Sequence, residues 1–86
     1  MNFITAHEFS SYHRKSVLKS KNCGCFYCSA IFSPSEIIDW CDEDKDGVGQ
    51  TAICPKCGID SIICDVDLNF DKQFLEGMHK EWFQIK

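Results

Sequence analysis

The chain has 86 residues, 44% of them hydrophobic, and a formal net charge of −4. That length allows one domain, expected over 1–86, burying only about 60–65% of its unfolded surface, so its core is marginal without a staple. The apolar content argues against disorder, and the acidic total argues against a general nucleic-acid binder. The charge is uneven, however. Residues 1–22 hold Arg14, Lys15, Lys19 and Lys21 against Glu8, whereas residues 23–71 hold ten acids against Lys45 and Lys56. Met1 to Phe9 lack the basic region and hydrophobic run of a signal peptide, and no stretch is long enough to span a bilayer. The expectation is a cytoplasmic protein with no membrane partner, in a compartment that keeps its seven cysteines reduced.

Taken in chain order, the first element is a helix over about 6–20. Thr5-Ala6-His7-Glu8 reads as a capping box, with Ile4 and Phe9 at the staple positions. Phe9, Tyr12, His13 and Val17 line one face at helical spacing, with Ser16 at its edge and Arg14, Lys15 and Lys19 elsewhere. Ser33-Pro34-Ser35-Glu36 repeats this grammar, with proline at the first helical position, and predicts a second helix ending near Cys41. A polar loop follows from Asp42 to Gln50. Residues 50–53 and 60–66 are short and β-branched, which predicts the two arms of a hairpin around the sequence between them. A third helix is expected over about 71–83, where Phe74, Leu75, Met78, His79, Trp82 and Phe83 make a broad apolar stripe.

Two cysteine pairs carry the chemistry. Cys25-Phe26-Tyr27-Cys28 and Cys54-Pro55-Lys56-Cys57-Gly58 are separated by 25 residues. Two cysteines spaced by two residues let one tight turn aim both thiolates at a point, with turn amides donating to the sulfurs. Gly58 permits the left-handed backbone that closes the second turn. Two such knuckles make a four-thiolate tetrahedral shell, so Cys25, Cys28, Cys54 and Cys57 are the candidate ligands of one metal ion per chain. Zinc is favoured, and iron is the alternative because thiolate shells also take it. A redox dithiol at one pair is the competing reading. Cys41 and Cys64 read as small buried hydrophobes, and Cys23 as either a packed or an exposed thiol.

Asp42 to Gly47 matches the first half of a calcium loop, but Ile53 stands where the bidentate acid belongs, so the segment reads as a solvated acidic loop. His7 and His13 are six apart and share no helix face. No phosphate loop, nucleophile elbow or carboxylate pair is present, and a closed four-cysteine shell has no position for water. The expectation is therefore a non-catalytic protein. Phe26 and Tyr27 fall at the tip of the first knuckle. They either pack beneath the third helix, the expected fate in so small a core, or form a contact patch with Phe32. With Arg14 and Lys15 they are the candidate contact residues.

From Lys21 onward the strings CGCFYC, IFSPSEI, TAICPKCGIDSII and FLEGMHKEWF resemble a group of uncharacterised small bacterial cytoplasmic proteins with zinc-ribbon-like knuckles. The knuckles also resemble those of rubredoxin, which holds iron, although Ser29 here replaces the glycine after the first pair and a helix is inserted between the pairs. The resemblance implies a cytosolic metal-binding protein and no particular activity; Cys41, Cys64 and the longer acidic loop are departures from the group. The fold expected is α+β: two knuckles on short hairpins, an inserted short helix, and flanking N- and C-terminal helices. The function expected is a protein-binding adaptor or regulator. The alternatives are nucleic-acid binding through the basic first helix, with affinity falling steeply in salt, and thiol or iron redox chemistry.

Overall fold

The N-terminal segment starts as a helix and does not continue as one. In the computed structural model, which describes residues 2–83, Asn2 rather than Thr5 is the cap. Its side-chain oxygen accepts from the Thr5 amide at 2.7 Å, and α1 (Phe3–Ala6) passes directly into a 3-10 turn at His7–Ser10. Ser11 is then extended and Tyr12 has a φ of 49°, so the helix expected over 6–20 is broken before α2 (Arg14–Lys19) begins. Tertiary hydrogen bonds explain the break. The Tyr12 amide donates to Thr51 Oγ1 at 2.8 Å, and the His13 ring lies between the Phe9 carbonyl at 2.6 Å and the Ala52 amide at 3.2 Å. Serine, tyrosine and histidine are indifferent helix formers, so little opposes diverting these groups to a distant strand.

The second expected helix is also cut short. The capping box at Ser33 and Glu36 forms, with the Ser33 amide donating to Glu36 Oε2 at 3.2 Å, but it supports only a 3-10 turn at Pro34–Glu36. Ile37 is already extended, with ψ 122°. β-branched Ile37 and Ile38 resist helix and suit a strand.

The strands distribute over two small antiparallel sheets. The first contains β1 (Cys23–Cys25) and β2 (Ile31–Phe32), the second contains β3 (Trp40–Glu43) and β4 (Gly49–Ala52), and β5 (Ile62–Cys64) returns to the first in the order β2-β1-β5. The expected hairpin between residues 50–53 and 60–66 is therefore absent: β4 pairs with β3 and β5 with β1. All three β5 residues are buried, as are all three residues of β1 with which they pair, whereas the first two residues of β4 are only half-buried. The acidic loop becomes the β3–β4 turn. Asp44 Oδ1 accepts from the amides of Asp46 and Val48 at 2.9 and 3.0 Å, and Gly47 takes φ 79°.

The first sheet is covered on both faces. On one side Cys23, Cys25, Ile62 and Cys64 join Val17, Phe32, Ile37, Ala52 and Cys54 in a buried cluster. On the other, Ile63 meets Ala6, Phe26, Leu68, Leu75 and Met78 beneath α3 (Lys72–Trp82). The third helix falls where the sequence places it, capped by Asp71 Oδ1 on the Phe74 amide at 2.8 Å. Gly24 is required by this closeness: a Cβ there would lie 2.6 Å from Phe70 and 2.9 Å from Leu75. Among the described residues no helix is long and apolar enough to cross a membrane.

The His13 bridge makes stability pH-dependent. Nδ1–H donates to Phe9 and Nε2 accepts from Ala52, so the bridge needs a neutral ring. Burial lowers the His13 pKa from 6.5, against the opposing pull of the Phe9 carbonyl and the Asp67 charge. A depressed folded pKa means the contribution is full above about 6.5 and is lost as pH falls below it, because the unfolded chain takes up the proton first. Urea unfolding should show a loss of up to about 1 kcal/mol between pH 6.5 and 5.5. That increment should be missing from the His13→Gln variant; an equal slope in both would assign it to other groups.

Candidate metal centre

Each cysteine pair lies on a turn of the same design. In the first, the Cys25 amide donates to the Ala30 carbonyl at 2.9 Å and the Ser29 amide to the Cys25 carbonyl at 2.8 Å. In the second, the Cys54 amide donates to Ile59 and the Gly58 amide to Cys54, both at 2.9 Å. The residue after each pair is left-handed, Ser29 with φ 63° and Gly58 with φ 79°. Ser29 thus carries a conformation that disfavours a side chain by roughly 1 kcal/mol. Ser29→Gly should raise stability by about 0.5–1 kcal/mol and Gly58→Ala should lower it by about 1 kcal/mol, read as shifts in urea midpoint.

The two turns face each other and gather four sulfurs. The ligand atoms of Cys25, Cys28, Cys54 and Cys57 all lie within 4.8 Å of one another. Cys25 Sγ is 3.6 Å from Cys57 Sγ, and Cys28 Sγ is 3.8 Å from Cys54 Sγ. A tetrahedron with metal–sulfur bonds of about 2.3 Å has an edge of about 3.8 Å, so these separations suit a single ion. The cluster can bind a metal ion, as the spacing of the pairs predicts.

Backbone amides prepare the sulfurs for charge. Tyr27 and Cys28 donate to Cys25 Sγ at 3.3 and 3.5 Å, and Lys56 donates to Cys54 Sγ at 3.3 Å. Ser61 Oγ, fully buried behind the cluster, is 3.1 Å from Cys25 Sγ. Two of the thiols resist ionisation and one favours it. Burial pushes the Cys25 and Cys57 thiols up, the amide and hydroxyl donors to Cys25 only partly opposing it. At Cys54 burial pulls the same way, but the amides of Lys56 and Cys57 with the Cys57 and Cys28 thiols outweigh it and hold its pKa down. A divalent ion supplies the positive charge that such a thiol set needs.

The candidate contact residues separate. Phe26 is only 1% exposed and lies beneath α3, so it is a core residue and not part of a surface patch, as is Phe32. Its ring fills the space between β5 and the helix, which a domain short of core cannot leave empty. Tyr27 is 41% exposed and packs edge-on against Phe83, with His79 beside it. Arg14 is committed to the fold: Nη1 donates to the Gly49 carbonyl at 2.8 Å and the guanidinium lies 4.4 Å from the centre of the Trp40 ring. Lys15 is exposed. Cys23 and Cys64 are buried, and Cys41 is half-buried on β3. Ser61 and Thr51 escaped sequence reasoning. Ser61 follows the second knuckle with no spacing rule to mark it. Thr51 Oγ1 donates to Asp42 Oδ2 at 2.7 Å only because β3 and β4 pair.

Comparison of the chain with protein-family profiles, with curated proteins and with solved structures finds no match.

Proposed function

We propose that the chain is a zinc-stabilised, non-catalytic cytoplasmic protein that acts by binding another protein. The observation that carries the metal part is the pair of sulfur separations, 3.6 and 3.8 Å, at the edge length of a tetrathiolate site. Four thiolates saturate zinc and leave no position for water or substrate, which supports a structural rather than a catalytic ion. Iron fits the same sulfurs, and a coloured protein with an iron spectrum would replace zinc in this reading.

Protein binding is supported by an aromatic edge beside the first knuckle, where Tyr27 and Phe83 are exposed and Trp82 donates from Nε1 to the Phe3 carbonyl at 3.0 Å. Aromatic residues of this kind are enriched at protein interfaces. The nucleic-acid alternative loses Arg14 to the Trp40 contact and keeps Lys15, Lys19 and Lys21. Metal analysis of the purified protein, followed by affinity capture with the wild type and a Tyr27→Ala/Phe83→Ala variant, tests the reading. One zinc per chain and a protein captured by the wild type alone are expected. A chain that binds RNA or DNA with steep salt dependence would overturn the adaptor role.

A further inference from the structure

β1 and β5 are joined by a ladder whose phase is set at both ends. The Asp65 amide donates to the Asn22 carbonyl at 3.1 Å, and the Phe26 amide donates to the Ser61 carbonyl at 3.0 Å. Hydrogen-bonded and non-hydrogen-bonded pairs alternate along an antiparallel ladder, so Cys23 and Cys64, which face each other directly, occupy a non-hydrogen-bonded position. Such pairs have the shorter Cα separation, about 4.5 Å. A disulfide spans Cα separations of about 4.4–6.8 Å. The two sulfurs are 3.9 Å apart, and both residues are fully buried. Neither belongs to the four-cysteine cluster.

We propose that Cys23 and Cys64 form a second thiol site, a dithiol that a low-molecular-weight disulfide such as oxidised glutathione converts to a cross-strand disulfide. The exchange balances without another reactant. One cysteine, after losing its proton to solvent, attacks the glutathione disulfide, forms a mixed disulfide and releases one glutathione thiolate. The second cysteine then loses its proton and attacks the protein sulfur of that mixed bond. The Cys23–Cys64 bond forms, the second glutathione leaves as thiolate, and the two electrons end on the two glutathiones.

Access comes from fraying at the start of β1. Lys21 and Asn22 are exposed there, their amides bonded to the Asp65 carboxylate at 3.1 and 3.0 Å and the Asn22 carbonyl to the Asp65 amide, so opening this end breaks three bonds at a single residue. The bond would tie the strand entering the first knuckle to the strand following the second. The disulfide would therefore hold the knuckles together when the metal leaves, a consequence that rests on the proposed metal reading while the dithiol itself does not.

The test is to equilibrate the metal-loaded protein in glutathione mixtures from reducing to fully oxidised, with a disulfide isomerase as catalyst so that burial cannot block the exchange. Free thiols are then alkylated and peptides mapped. The expected result is loss of two hydrogens per chain, a Cys23–Cys64 linkage, and four unoxidised cysteines at 25, 28, 54 and 57. The linkage should be absent from Cys64→Ala and present in Cys41→Ala. A pair still reduced in pure oxidised glutathione, or a linkage through Cys41 or the four-cysteine cluster, overturns the proposal; the wild-type map decides this even if a variant does not fold. Chelation then reads the consequence by circular dichroism. Structure kept only in the oxidised chain supports it, and equal loss in both forms overturns it. Structure kept in both forms refutes the metal's structural role and leaves the dithiol standing.

Discussion

Stripping the metal from the native protein with a strong chelator should abolish its ordered far-ultraviolet circular dichroism, and Cys54→Ser should do the same without a chelator. Structural zinc in small domains contributes apparent binding free energies of about 10–16 kcal/mol at neutral pH. The total stability of an ordinary domain is only about 5–15 kcal/mol. The buried cluster that contains Cys25 and Cys54 also contains Ile37, Ala52 and Ile62, so an ion bound at these cysteines would hold together the elements that cover that face of the sheet. Cys54 is the informative ligand because the Lys56 amide and neighbouring thiols favour its ionised form. Serine in its place should weaken metal affinity by at least about 100-fold, more than loss of a residue that merely supports a ligand. A spectrum unchanged after the metal is shown to have gone would mean that the two cores stand without it.

Phe26→Ala should cost about 3–5 kcal/mol, the usual penalty for emptying a buried aromatic site. The ring lies among Ile63, Leu75 and Met78, with the His7 and Phe83 rings each 5.7 Å away centre to centre. Its neighbours come from the strand after the second knuckle and from α3, so collapse around the cavity would have to move both. The substitution leaves all four sulfur ligands in place. Metal should therefore still bind, with the urea midpoint lowered, whereas Tyr27→Ala next to it should change stability by less than about 1 kcal/mol. Equal effects at the two positions would refute the burial pattern of this knuckle.

The sequence alone determined those features that depend on a few neighbouring residues. The spacing of Cys25, Cys28, Cys54 and Cys57 was legible because a knuckle is a local turn whose geometry repeats wherever its residues do. The third helix was legible because its apolar stripe is long, and the structure adds the Asp71 cap at its start; the capping box at Ser33 was equally plain. How far an element runs was decided elsewhere. The first helix breaks at Tyr12 because Thr51 and Ala52, 39 residues away, take up its amide and the neighbouring His13 ring. The second stops after one turn because residues 40–43 pair with 49–52. The partner of β5, the burial of Phe26, the approach of Ser61 to Cys25 and the meeting of Cys23 with Cys64 all follow from strand pairing. Pairing is chosen by the burial of whole faces at once, and no window of adjacent residues carries that information.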